Sequence, residues 1–245
     1  MAVSEHLLTI DCGNSTIRCR RADGAIWSTD SMRPDFSDLE SFVGSLPTRA
    51  LAVSVVASAL SAIRQALPNV RVAVVDVDVK CPLQLAYTTK ATLGADRWLG
   101  AFAAYRRFGA AITIDCGTAT TVNVVDAHGV FHGGAIAPGL AAFVAGLAAK
   151  ASALPEPNLD AQPVIPASNT QGCVDAGVLL GWVGLVERLV RDARGQCPEA
   201  KLVVTGGNAE RLRQLGAAGV DHDACAFVPE LLHDGLAELA AMPQA

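Results

Sequence analysis

The sequence predicts an α/β protein made of two duplicated lobes, and three observations carry that prediction. The pentad Thr-Ile-Asp-Cys-Gly occurs twice, at Thr9–Gly13 and Thr113–Gly117, and self-similarity at domain spacing marks a repeated structural unit. Each copy has the same surroundings. A short apolar run precedes it (Leu7-Leu8; Ala111-Ile112), and a hydroxyl-rich stretch follows (Asn14-Ser15-Thr16; Thr118-Ala119-Thr120-Thr121). Behind each copy, strand-like and helix-like segments alternate, the pattern of an α/β layer architecture.

Taken in order, alternating or β-branched runs predict strands near 7–11, 16–21 and 25–28, then at 50–56 and 71–77, each bounded by breakers. Residues 58–67 have helical spacing at Ile63 and Leu67 and stop at Pro68. Residues 94–108 read as an amphipathic helix, with Trp98, Phe102 and Tyr105 on one face and Arg106-Arg107 suited to the negative end of its dipole. The second copy opens a further meander at 111–115, 121–126 and 130–137, followed by a helix over 140–151 and a proline-rich loop over 154–168. Asn169 is a cap for a long helix over 170–194 with the stripe Val174, Val178, Trp182, Leu185, Leu189. A strand at 201–205, a Gly206-Gly207 turn and helices over 209–215 and 229–241 complete the chain. The expected domains are 1–108 and 109–245. Two RNase H-like lobes facing across a cleft is the architecture of the actin-like and sugar-kinase ATPases.

Bulk properties narrow the function. A 51% hydrophobic content with 5% aromatics gives an ample core rich in Ala, Val and Leu. Net charge is −5 and basic residues cluster no further than pairs, which argues against nucleic acid as a partner. Seven cysteines (12, 19, 81, 116, 173, 197, 225) form no C-x-x-C pair, which fits a reducing cytoplasm better than a disulfide framework or a zinc site. The first eight residues lack the basic stretch of a signal peptide. Residues 133–149 carry no charge, but Pro138-Gly139 splits them too short to span a membrane.

The repeated unit places a carboxylate at a strand end before a glycine turn. Glycine lets backbone approach an oxyanion, and the adjacent amides and hydroxyls donate to phosphate. A lone Asp-x-Gly serves equally well as a capped strand end; its duplication favours phosphate binding. Two carboxylates at one cleft would repel without a cation, and Mg²⁺ bound through one or two carboxylates and substrate phosphates answers that need. At Gly94-Ala95-Asp96-Arg97 a carboxylate opens a helix, where the dipole favours its ionised form, so Asp96 is a ready acceptor for a hydroxyl proton. Arg97 offers a fork to a carboxylate or phosphate, although a helix-start acid beside a surface arginine is the plainer interpretation. Gly133-Gly134 and Thr205-Gly206-Gly207 read as turns or as close approaches to nucleotide. The five histidines show no ligand spacing and suit surface or turn positions, while Cys12 and Cys116 read as small buried thiols.

Together these motifs resemble type III pantothenate kinases, the family that includes the Bvg accessory factor. The resemblance spans nearly the whole chain: Asp11-Cys-Gly-Asn-Ser, Ser54-Val-Val, Tyr87 seven residues before Gly94-Ala-Asp-Arg, and Asp115-Cys-Gly-Thr-Ala-Thr-Thr. It continues through Gly133-Gly-Ala-Ile-Ala-Pro-Gly, Asn169-Thr170 ahead of Gly177, Thr205-Gly-Gly-Asn and Leu232-His-Asp-Gly-Leu. It implies ATP-dependent phosphorylation of pantothenate to 4′-phosphopantothenate, at the head of coenzyme A synthesis, by a homodimer with a shared active site.

On that resemblance Asp96 is the base, and Tyr87, Gly94, Ala95 and Arg97 line the pantothenate pocket, with Thr170 entering from the neighbouring subunit. Asp11, Gly13, Asn14, Ser15, Arg18, Gly117 and Thr118 hold ATP phosphates, and Asp11 and Asp115 hold Mg²⁺ through water. Family members commonly need K⁺ or NH₄⁺. Three positions depart from the pattern. Asn123 replaces a usual Asp and puts the monovalent-cation site in question, Lys90 replaces a usual Pro, and Arg18 replaces a usual Lys. These departures motivate a second reading, a non-catalytic regulatory accessory factor that binds nucleotide or pantothenate. A third reading, a phosphatase of the same superfamily, needs an acid placed to activate water.

Overall fold

The computed structural model describes residues 7–44, 49–76, 79–217 and 225–242. The chain divides into two compact units, 1–103 with 230–245, and 104–229. It passes from one to the other inside a single helix.

In the first unit, β1 (Leu7–Cys12), β2 (Thr16–Arg21), β3 (Ile26–Asp30), β4 (Arg49–Ser54) and β5 (Arg71–Val74) form a sheet in the order β3-β2-β1-β4-β5. The β1–β2 and β2–β3 pairs are antiparallel, whereas β1–β4 and β4–β5 are parallel. Strand alternation sends Leu8, Ile10 and Cys12 to one face, where they are fully buried with Ile17, Ala50, Ala52 and Ile63 of α2 (Ala57–Ala66). Thr9 and Asp11 therefore lie on the opposite face. A short α1 (Leu39–Val43), buried through Leu39 and Val43, was not expected from the sequence. A two-residue β6 (Gln84–Leu85) and a 3₁₀ turn over Lys90–Thr92 precede α3 (Ala95–Phe108).

The second unit repeats the plan. Its strands β7 (Ala111–Cys116), β8 (Ala119–Val125), β9 (Val130–Pro138), β10 (Lys201–Thr205) and β11 (Cys225–Phe227) run in the order β9-β8-β7-β10-β11. Again the meander β7–β8–β9 is antiparallel, and β7–β10 and β10–β11 are parallel. Between them lie α4 (Leu140–Lys150), α5 (Thr170–Gln196) and α6 (Ala209–Gln214). Ile112, Ile114, Cys116, Val122 and Val124 pack against the Val178, Trp182, Val186 and Val190 side of α5. Trp182 keeps its indole satisfied at depth by donating to Thr120 Oγ1 at 2.9 Å. The expected stripe drifts after Trp182, since Leu185 and Leu189 are only partly buried. Asn169 caps α5 as expected, its side chain accepting from Gly172 N at 2.8 Å.

Two expectations change. Residues 97–104 of α3 are buried without interruption, so this stretch is enclosed all round rather than amphipathic, and only the last turn, with Arg106 and Arg107, is exposed. One neighbour is α7 (Leu231–Ala241), which was expected in the second lobe and belongs to the first unit. There Gly235 allows a close crossing: a Cβ at that position would meet Leu99 Cδ1 at 2.9 Å and Ala103 Cβ at 3.2 Å.

Candidate active site

In the first unit the pentad ends β1 and turns through Gly13–Ser15 into β2, with Asp11 opposite Arg18 and Thr9 opposite Arg20. Gly13 N donates to Thr16 O at 3.0 Å, and Ser31 Oγ donates to Gly13 O at 2.8 Å, so the turn is tied down from both sides. Asn14 and Ser15 are exposed at its tip. The candidate phosphate residue Arg18 is ion-paired with Glu230 at the start of α7, Nη2 to Oε1 at 2.6 Å, and Arg20 meets Asp234 at 2.7 Å. Beneath them His233 is 2% exposed. Its Nδ1 lies 2.8 Å from Thr9 Oγ1, which itself donates to Arg20 O at 3.2 Å. Burial, then the Arg18 and Arg20 charges, push the His233 pKa down to about 3 and keep the ring neutral. Histidines were expected at surface or turn positions. His128 and His132 are exposed as expected, His233 is a correction, and His6 and His222 lie outside the described residues.

In the second unit the pentad ends β7, and Gly117-Thr118 turn into β8, with Gly117 N donating to Ala119 O at 3.1 Å. Two other glycines close on this turn. A Cβ at Gly139 would overlap the carbonyl oxygens of Gly117 and Thr118, and one at Gly206, whose φ is +90°, would overlap Asp115 Oδ1. Asn208 seals the strand end, donating from N and Nδ2 to Cys116 O at 2.9 and 3.2 Å. Gly206 is therefore a turn that packs closely against the strand end at Asp115 and Cys116. Gly133 and Gly134 sit inside β9, where a Cβ at Gly134 would overlap Val122 O. Cys12 and Cys116 are buried thiols as expected; burial raises both pKa values, that of Cys12 to about 12. Asn123 is 2% exposed and donates from Nδ2 to Thr121 Oγ1 at 3.2 Å and Thr113 Oγ1 at 3.5 Å.

The third cluster opens α3. Asp96 Oδ1 accepts from Arg97 N at 2.9 Å, and the carboxylate folds back over Gly94, where a Cβ would stand 2.5 Å from Oδ1. Any side chain there would have to displace the Asp96 carboxylate. Burial raises the Asp96 pKa, while the Arg97 amide and guanidinium pull it back down. Arg97 is not the surface arginine of the plainer interpretation: it is 7% exposed, its Nη1 donates to Tyr87 OH at 3.4 Å, and its guanidinium lies 5.8 Å from the Tyr87 ring centroid. Lys90 is exposed.

The structure thus brings together Gly94, Asp96, Arg97 and Tyr87 in one cluster, and gathers Asp11, Gly13, Asn14, Ser15 and Arg18 on one hairpin. Asp115, Gly117 and Thr118 share the other hairpin, and Thr170 stands exposed at the start of α5. Residues that sequence reasoning missed are Glu230, His233 and Asp234. The Leu232-His-Asp-Gly-Leu motif contains His233 and Asp234 without saying what they touch, and Glu230, two residues ahead of it, carried no signal. Among the described residues no group of three or more His, Cys, Asp or Glu converges as a metal site. A groove of about 730 Å³ lies elsewhere in the second unit, over Gly133 and Ala135 and beside Leu189 and Ala193, and no pentad residue lines it.

Comparison with known proteins bears on the fold and the family. Solved structures with similar folds include one described as a Baf family transcriptional activator from Campylobacter jejuni (TM-score 0.61, 20% identity, 95% of this chain and 96% of that one). Another is an archaeal actin homologue in complex with ADP (TM-score 0.55, 12% identity, 96% and 99%). The duplicated sheet, with an Asp-x-Gly turn in each copy, places the chain in the fold class of the actin-like ATPases and sugar kinases. Within that class, the profile of type III pantothenate kinase matches residues 7–192. A type III pantothenate kinase of Pelobacter propionicus is 33% identical over 224 residues, 83% of this chain and 88% of the relative. The chain belongs to the type III pantothenate kinase family. One from Syntrophotalea carbinolica is 41% identical over 138 residues, 56% of this chain and 54% of the relative, so in such alignments the chain spans about half the length of the curated relatives it matches.

Proposed function

We propose that this chain transfers the γ-phosphoryl group of ATP to pantothenate, yielding 4′-phosphopantothenate. The observation that carries the reading is the Gly94–Arg97 cluster. A partly buried carboxylate is held by a neighbouring amide, beside a buried arginine that donates to a tyrosine hydroxyl. Phosphoryl transfer is mostly positioning and charge neutralisation. In this reading Asp96 accepts the substrate hydroxyl proton late in the transfer, while Arg97, Tyr87, Gly94 and Ala95 hold pantothenate. The turns Gly13–Ser15 and Gly117-Thr118, with Arg18, bind phosphates. Mg²⁺ prefers hard oxygen donors, and Asp11 and Asp115 each offer a carboxylate to it. With no larger ligand cluster among the described residues, it would rely on these carboxylates and on phosphate oxygens to neutralise charge.

The proposed active form is a homodimer in the cytoplasm, with Thr170 entering the partner's site. Support comes from α5, whose exposed Gly177, Gly181 and Gly184 have nothing within 4 Å of an added Cβ. Glycine in a helix interior costs about 1 kcal/mol relative to alanine, and among the described residues no contact explains three on one exposed face. Beside it α4 exposes Ala141, Ala142, Ala145, Ala148 and Ala149. Among the described residues no helix is long and apolar enough to cross a membrane.

The test is purified protein with ATP, Mg²⁺ and pantothenate, followed by mass spectrometry for 4′-phosphopantothenate. Asp96→Asn is expected to abolish product while leaving the melting temperature and ATP binding intact. Equal turnover by the two proteins eliminates Asp96 as acceptor. Nucleotide binding without any product in the wild type favours the regulatory reading.

A further inference from the structure

Asp76 is the single non-glycine residue with positive φ among the described residues, at +69°. That left-handed region is sterically unfavourable for residues bearing a Cβ, and Asp is among the few that tolerate it. A strained residue that persists is held by its surroundings, and here the contacts are explicit. Val75 N donates to Ala52 O at 2.9 Å as the chain leaves β5, and Asp76 N donates to Val79 O at 2.7 Å. The Asp76 carboxylate then receives the indole N–H of Trp98, with Nε1 3.1 Å from each oxygen. Trp98 is 1% exposed and sits in the first turn of α3, one residue after Arg97 and two after Asp96.

We infer that Asp76 is a positioning residue for Asp96 and Arg97, acting through Trp98; the inference rests on the proposed role of Asp96 as proton acceptor. A buried indole that loses its acceptor must find another or rotate, and its ring is rigidly attached to the turn that carries both functional groups. At a side-chain radius of roughly 5 Å, a twist of the turn by about 20° moves a carboxylate by nearly 2 Å. Misplacement of about 1 Å is enough to lose on the order of 100-fold in rate. The strained backbone at Asp76 thereby sets the rotation of the helix start on which the chemistry depends.

The test compares Asp76→Ala, Asp76→Asn, Asp76→Gly and Trp98→Phe by steady-state kinetics in each substrate and by hydrogen exchange over residues 94–100. Asp76→Ala is expected to lower kcat about 10- to 100-fold and raise KM for pantothenate, leaving KM for ATP within about twofold. Its amides at the start of α3 should exchange faster. Asp76→Asn keeps an acceptor and tolerates the same φ, so it should retain most activity and protection. Asp76→Gly relieves the backbone but has no acceptor, so it should behave like Asp76→Ala, as should Trp98→Phe. The Asp76→Ala/Trp98→Phe double variant should be no worse than either single. Wild-type kinetics and exchange in Asp76→Ala overturn the proposal, and so does Asp76→Asn as impaired as Asp76→Ala. Altered exchange in Asp76→Ala, alongside full turnover by Asp96→Asn, supports the positioning link and removes the catalytic role of Asp96 instead.

Discussion

Thr9 and Thr113 occupy the same place in two copies of one pentad, and each pairs across an antiparallel strand, Thr9 with Arg20 and Thr113 with Asn123. One step along, Asp11 is opposite Arg18 and Asp115 is opposite Thr121. In the first unit the facing strand is cationic and is neutralised by Glu230 and Asp234 of α7, with a neutral histidine held beneath. In the second it is uncharged and built of hydroxyls and one amide. The pentad therefore sets hairpin geometry, and the strand that answers it sets the electrostatics. Duplication preserved the former and let the latter diverge.

The largest expected effect tests whether the two copies work together. Asp11→Ala and Asp115→Ala should each lower turnover by about 10²–10³-fold, the scale for losing one charge-stabilising group. If both serve one Mg²⁺–phosphate cluster, the double variant should lose little more than the worse single, because residues acting as a unit are not additive. Losses that multiply would separate the sites and break the pairing.

A smaller contrast concerns stability. Thr9→Val leaves buried His233 Nδ1 without its 2.8 Å partner, an expected cost of about 1–3 kcal/mol in urea unfolding. Thr113→Val removes a partner at 3.5 Å, at the edge of hydrogen-bond range, and should cost under about 1 kcal/mol. Equal costs would mean that the surroundings matter less than the pentad itself.

Acid sharpens the same contrast. The folded-state pKa of His233 lies near 3 against an ordinary 6.5, so between these values the unfolded chain binds the extra proton. The stabilisation is fully present above about pH 6.5 and is lost as the pH falls towards 3. His233→Asn should flatten the pH dependence of the urea midpoint in that window. An unchanged slope would assign acid sensitivity to other groups.

The smallest effect concerns Asn123. Its amide needs no counter-charge, so activity is expected to persist without K⁺ or NH₄⁺, or to respond only at high concentration. Asn123→Asp would bury a carboxylate beside Thr113 and Thr121, which is costly unless a cation accompanies it. Turnover and melting temperature of this variant should then rise with KCl at constant ionic strength, while the wild type stays flat at low KCl. Strong saturable activation of the wild type at low K⁺ would overturn this.

Features set by local pattern were legible in the sequence. The pentads, both meanders, the Asn169 cap and α5 follow from alternation, glycine turns and capping, which act within a few residues. Features set by distant packing were not. The place of α7 depends on Gly235 meeting Leu99 and Ala103. The burial of His233 depends on a strand more than two hundred residues earlier. β11 is three residues long and pairs in parallel with β10, too short to carry a periodic signal. At the site, Asp96 and Arg97 were legible as a motif. The φ of Asp76 and its reach to Trp98 were hidden, because nothing in the residues around it announces a left-handed turn.

The return of α7 to the first unit also bears on how the chain is made. During synthesis, residues 7–103 emerge long before the helix that covers Thr9, Arg18 and Arg20. The whole of 104–229 must follow first, a delay on the order of ten seconds at ribosomal rates of about 5–20 residues per second. For that interval the nascent first unit exposes a pair of arginines and an uncovered sheet face, whereas the second unit takes all its strands and helices from one continuous stretch of chain. The unit that begins earlier is finished later, and a ribosome that stalls before residue 231 leaves it open.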